Sequence, residues 1–206
     1  MRWKLIVVPV LAIFVFAGAV SARAQVTHAG TEGKIPLTVG IGVSNYNIDW
    51  CCGRRMTGIG AWADWRLRGM PGHLKGLSIS AEGQWIPWNI PSGIGNHELE
   101  AVLGGPSYHI QKWERVKPYA KFFLGFGGVY FTTNDPYYNH DTREIYAPGA
   151  GADIKVWNNL AVRVDYEYQY WPNLFPTSAH PNGATSNPNG FTFGTVWDFG
   201  GRPLGR

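Results

Sequence analysis

Residues 160–171 (LAVRVDYEYQYW) alternate between apolar and polar faces along their whole length. Leu160, Val162, Val164, Tyr166, Tyr168 and Tyr170 fall on one face; Ala161, Arg163, Asp165, Glu167, Gln169 and Trp171 fall on the other. Successive side chains of an extended chain point to opposite sides, so a period of two makes a strand with one greasy and one polar wall. The run is longer than the ordinary soluble strand of about five or six residues.

The pattern recurs. Eight segments carry it, at 35–48, 57–68, 76–86, 97–110, 115–131, 144–157, 159–171 and 189–200, punctuated by Gly, Pro, Asn and Asp. Ile35, Leu37, Val39, Ile41 and Val43 oppose Thr38, Gly40, Gly42 and Ser44 in the first. Ile59, Ala61, Ala63, Trp65 and Leu67 oppose Trp62, Asp64 and Arg66 in the second; Leu77, Ile79, Ala81 and Trp85 oppose Glu82 and Gln84 in the third. In the fourth, Leu99, Ala101 and Leu103 form the apolar face against Glu98, Glu100 and Gly104. Phe122, Leu124 and Phe126 oppose Tyr119 and Lys121 in the fifth, and Tyr146, Ala150, Ala152, Ile154 and Val156 oppose Asp153 and Lys155 in the sixth. No helical period competes. The connections alternate between short and long, which predicts an all-β chain: eight antiparallel strands in an up-and-down barrel, with the trimmed ends on the side of both termini.

Alternation does not say which wall faces inward, since a soluble lipocalin-like binding barrel gives the same binary string. Three magnitudes favour a transmembrane β-barrel. Only 16% of the 206 residues are charged, against about 25% in an average soluble domain. Strands of this length span a hydrocarbon core, which needs about 9–11 tilted residues. The apolar faces of these strands hold no charge, and a Lys or Arg on a lipid face costs about 2–4 kcal/mol near the midplane. Asp64, Arg66, Glu82, Lys121, Asp153, Lys155, Arg163, Asp165 and Glu167 are then expected to neutralise one another in the lumen. Trp65, Trp85, Tyr130, Tyr146, Tyr168 and Tyr170 lie toward strand ends on the apolar side, where interface girdles form.

The first 24 residues read as a cleaved signal peptide: Arg2, Trp3 and Lys4, an apolar run from Leu5 to Val20, then Ala22-Arg23-Ala24. Residues 25–206 form the barrel domain, and without the signal's three basic residues its 15 basic side chains stand against 14 acidic. Nothing points to nucleic acid. Cys51-Cys52, being adjacent, make no disulfide framework and no zinc site, and read as loop residues.

The chain resembles the small eight-stranded outer-membrane barrels of the OmpA/OmpX type. The sharpest motif is the final strand, Thr192-Phe193-Gly194-Thr195-Val196-Trp197-Asp198-Phe199, which matches the pattern polar-x-Gly-x-x-aromatic-x-aromatic. The resemblance implies a Gram-negative cell-envelope protein in the bacterial outer membrane. It also implies that Thr192, Gly194, Trp197 and Phe199 are read by the barrel-assembly machinery. The chain continues past Phe199 to Arg206, and no peptidoglycan-binding domain is expected to follow.

An eight-stranded barrel is just wide enough to be filled by its own side chains, so the expected work is structural or interactional, with outer-membrane lipid as partner and no catalysis. A narrow porin is the conducting alternative. An outer-membrane lipid-A acyl hydrolase is the enzymatic one: Ser107 and His109 share a face, but the compact His-x-Ser signature of such enzymes is absent. Cofactors and metals have no support; the loop 132–143 (TTNDPYYNHDTR) lacks an EF-hand pattern and reads as turns. An extracellular ligand would meet Trp88, Asn89, Ile90, Tyr137, Tyr138, Asn173, Leu174 and Phe175 in the long loops.

Overall fold

The computed structural model describes residues 35–49, 55–88, 97–131, 140–176 and 182–200. The signal segment, Cys51-Cys52, Asn89, Ile90, Tyr137 and Tyr138 lie outside the described residues. Ten strands are described: β1 (Leu37–Asn47), β2 (Arg55–Arg66), β3 (Leu77–Trp88), β4 (His97–His109), β5 (Val116–Phe131), β6 (His140–Lys155), β7 (Leu160–Tyr168), β8 (Trp171–Leu174), β9 (Ala184–Ser186) and β10 (Asn189–Asp198). Eight of them close an antiparallel barrel in the order β1-β10-β7-β6-β5-β4-β3-β2, while β8 and β9 pair separately. Neighbours in sequence are neighbours in the wall, and β10 closes it against β1. The short connections 67–76, 110–115 and 156–159 share one end with residues 35 and 200 (the turn end). The opposite, loop end holds the other ends of these strands.

Burial decides the orientation. On β7, Val162 and Tyr166 are 38% and 41% exposed on the outer wall, while Arg163 and Asp165 are 5% and 3% exposed inside it. The same parity turns Ile41 and Val43, Ile79, Phe122, Leu124 and Phe126, and Phe191 and Phe193 outward. This is the inside-out arrangement of a membrane barrel, because a water-soluble one keeps its apolar face in the core. The most direct check is charge on that wall. Leu124→Lys is expected to lower stability in phospholipid vesicles by about 2–4 kcal/mol, read from urea unfolding; a barrel with a wet exterior would tolerate it.

Three expectations are corrected. Leu99, Ala101 and Leu103 face the lumen, each 2% exposed, and Glu98, Glu100 and Val102 face outward. Glu144 likewise shares the outward parity of Tyr146. The physical reason is that the loop-ward half of the lumen is itself apolar. Tyr46, Ile48, Met56, Ile86, Leu99, Leu103, Phe123, Val129, Ile145, Trp171 and Leu174 form one buried cluster there, so hydrophobicity does not mark the lipid side on that stretch. Second, β7 stops at Tyr168 and the chain folds inward, so the reach 171–188 holds the β8–β9 hairpin instead of a plain loop. Third, β6 begins at His140, within the segment read as turn residues; its longer outer part pairs only with β5, apart from a bridge between Tyr146 and Tyr170.

Candidate functional site

The lumen is filled by a ladder of polar groups that climbs from the turn end, and period-two alternation on seven strands aims them at the same axis. At the lowest level Arg163 of β7 donates from Nε to Asp153 Oδ1 (2.6 Å) and from Nη2 to Asp153 Oδ2 (2.9 Å) on β6. The same Nη2 donates across the barrel to Asp64 Oδ2 on β2 (2.8 Å). Its guanidinium lies 5.2 Å from the Trp62 ring and 4.7 Å from the Tyr119 ring. His109 approaches Asp153 with Nε2 at 3.5 Å from Oδ2.

One level up, Tyr119 donates to Asp165 Oδ2 (2.5 Å). Lys121 Nζ then stands 2.6 Å from Glu82 Oε2, 2.8 Å from Asp165 Oδ1 and 2.8 Å from Glu167 Oε2, joining β5 to β3 and to two positions of β7. These three carboxylates are near enough together to ligate a metal ion; the ammonium of Lys121 occupies that position as a tethered cation. Above it, Glu167 Oε1 accepts from Tyr46 Oη (3.1 Å), Gln84 Nε2 (3.0 Å) and Gln169 Nε2 (2.7 Å). Gln169 Oε1 accepts from Trp171 Nε1 (2.8 Å), which ties the ladder to β8. The Trp171 ring then crosses to β5, where a Cβ on Gly127 would collide with it; only glycine leaves that space.

The structure therefore brings seven of the nine candidate charges, Asp64, Glu82, Lys121, Asp153, Arg163, Asp165 and Glu167, into the buried lumen. Arg66 instead pairs with Asp198 at the turn-end rim. Lys155 lies half-buried at the end of β6, outside any ion pair among the described residues. Among the described residues, buried acids outnumber buried cations five to two. Tyr46, Gln84, Tyr119 and Gln169 were not among the candidates, although parity alone puts each on the lumen wall. They are uncharged, and a reading keyed to charge passes over them.

Of the final-strand residues, Thr192 faces inward and meets Ser44 at 2.8 Å, whereas Trp197 and Phe199 face outward. Ser107 shares a hydrogen bond with Ser80 (2.7 Å) inside the barrel, and His109 points the same way. Neither meets the lipid wall. Leu174 is wholly buried beneath the loop end and Phe175 packs against the same apolar cluster, so these two are not exposed loop side chains.

The family of outer membrane protein beta-barrel domains matches residues 11–199. Among solved structures, neisserial surface protein A (NspA) superposes with a TM-score of 0.58 at 14% identity, covering 79% of this chain and 97% of that one. Ail, the attachment invasion locus protein of Yersinia pestis, gives 0.52 at 15% identity over 78% of this chain and 96% of its own. No curated protein matches the chain.

Proposed function

Because the chain belongs to the outer membrane protein beta-barrel domain family, we propose that it serves the bacterial outer membrane as a structural or surface-interaction barrel, plugged by ion pairs and without catalysis. The observation that carries this reading is the pair of cross-lumen clusters. Lys121 and Arg163 each bind carboxylates on facing strands, and the apolar cluster with Trp171 closes the space above them. A buried charge left without its partner is costly, so such clusters resist opening for water or ions. Ser107 and His109 support the non-enzymatic part: a lipid acyl hydrolase presents its nucleophile to the membrane, and both side chains turn from it. Trp197 on the strand that closes the barrel and Phe199 just after it, both outward, support the reading of the chain's last strand segment as the signal for the barrel-assembly machinery.

Conductance tests the plug. Purified protein in planar bilayers is expected to give no steady, reproducible current steps; such steps would replace the plug with a gated pore. The surface-interaction part rests on the described loop end, where β5 and β6 extend beyond the end of β7, a placement suited to contacts outside the membrane.

A further inference from the structure

Outside the lumen, charge is segregated along the barrel axis. Apart from Arg66, held by Asp198, the turn end carries Arg68, Lys75, Lys112 and Arg115 on its turns, with Lys117 and Lys155 facing inward at the mouth of the lumen. Among the described residues none of these six forms an ion pair, and Glu114 is the one acid beside them. Among the described residues the loop end has the opposite sign. Beyond the Arg143–Asp141 pair, it bears Asp49, Glu98, Glu100 and Glu144 against Arg55.

The basic end also holds a belt of indoles. Trp65, Trp113, Trp157 and Trp197 are 50%, 51%, 70% and 48% exposed, and the Lys112 ammonium lies 5.7 Å over the Trp113 ring. Indoles of this kind settle at the membrane–water boundary. Lysine and arginine beside them keep their stems in the apolar layer and their charge among the headgroups. Hydrogen bonds fix the arrangement: Tyr108, a lipid-facing residue of β4, donates to the His73 carbonyl (2.6 Å), and Gln111 Nε2 donates to the Lys75 carbonyl (3.0 Å). The first basic turn is thus tied to the second, and both lie against the wall that lipid covers.

We propose that the turn end is a docking surface for anionic phospholipid headgroups, held by Arg68, Lys75, Lys112 and Arg115 beside the tryptophan belt. A phospholipid fits better than an acidic protein because the cations sit at the level of the belt, at the rim of a lipid-facing wall. Juxtamembrane cations of this density attract an anionic leaflet over roughly a Debye length, about 8 Å at physiological ionic strength.

Spin-labelled lipids test the proposal. The protein is reconstituted in phosphatidylcholine vesicles with a trace of spin-labelled phosphatidylglycerol or spin-labelled phosphatidylcholine, and the motionally restricted fraction is measured. The phosphatidylglycerol label is expected to be restricted at least about twofold more, with the preference fading in 1 M salt, where the Debye length is about 3 Å. A variant carrying Arg68→Gln, Lys75→Gln, Lys112→Gln and Arg115→Gln should lose the preference, and Arg55→Gln at the loop end should keep it. Equal restriction of the two lipids by the unaltered protein, a preference insensitive to salt, or an undiminished preference in the folded fourfold variant overturns the proposal. So does binding of soluble polyglutamate by a protein that treats the two lipids alike, which would assign the surface to an acidic protein partner. The salt arm needs no variant and stands even if the fourfold change prevents folding.

Discussion

Lys121→Met is expected to destabilise the barrel by about 3–5 kcal/mol. Methionine has nearly the length and volume of lysine, so packing is largely kept and the loss is electrostatic. What remains is Glu82, Asp165 and Glu167, all with side chains no more than 5% exposed, facing a gap where their shared cation stood. The reciprocal change is expected to be mild. Glu82→Gln removes one of three anions around a single ammonium, and its amide oxygen still accepts from Lys121, so the cost should be about 1 kcal/mol or less. This asymmetry is the signature of a lumen in which acids exceed cations; a set of balanced, independent pairs would make the two losses similar. Urea unfolding in vesicles, with gel mobility before and after boiling to confirm the folded start, measures both. A Lys121→Met protein as stable as Glu82→Gln would contradict the geometry around Nζ.

The same balance explains how far the lumen could be read from the chain alone. Alternation on β7 puts Arg163, Asp165 and Glu167 on one wall, and the equivalent parity on β2, β3, β5 and β6 supplies Asp64, Glu82, Lys121 and Asp153. Period two is a backbone property and survives any tertiary context. Hydrophobicity is not so transferable. At the turn-ward levels polar means inside, but at the loop-ward levels Leu99, Leu103 and Ile145 are inside and Glu98, Glu100 and Glu144 outside, because strand ends there rise past the hydrocarbon layer into polar surroundings. Rim residues escape the pattern for a related reason: Arg66 sits where β2 leaves the lumen and finds Asp198 of β10. The β8–β9 hairpin was hidden by its own sequence. Pro172 and Asn173 are ordinary turn residues, and only the burial of Trp171 and Leu174 on either side of them shows a segment folded into the barrel mouth.

The glycine of the last strand offers a test that separates recognition from packing. Gly194 pairs with Gly42 across the seam that closes the barrel, and the Trp62 ring lies against it. A methyl group at position 194 would meet the Ile41 carbonyl oxygen, with the Gly42 Cα and the Trp62 ring carbon Cη2 each at 2.6 Å. Backbone cannot retreat from a seam, and Trp62 cannot tilt freely while the Arg163 guanidinium covers it. Gly194→Ala is therefore expected to cost about 1–3 kcal/mol, the range of an overpacked core. The neighbouring Thr195→Ala, on the outer wall, should stay within about 0.5 kcal/mol. Refolding purified chains into detergent, where no assembly machinery is present, distinguishes the two roles of this residue. If position 194 is glycine solely so that the machinery can read the strand, the alanine variant refolds as well as the unaltered protein and keeps its near-ultraviolet tryptophan signal. If the seam needs the space, stability falls and that signal changes together with it, since the ring displaced is the one stacked over Arg163.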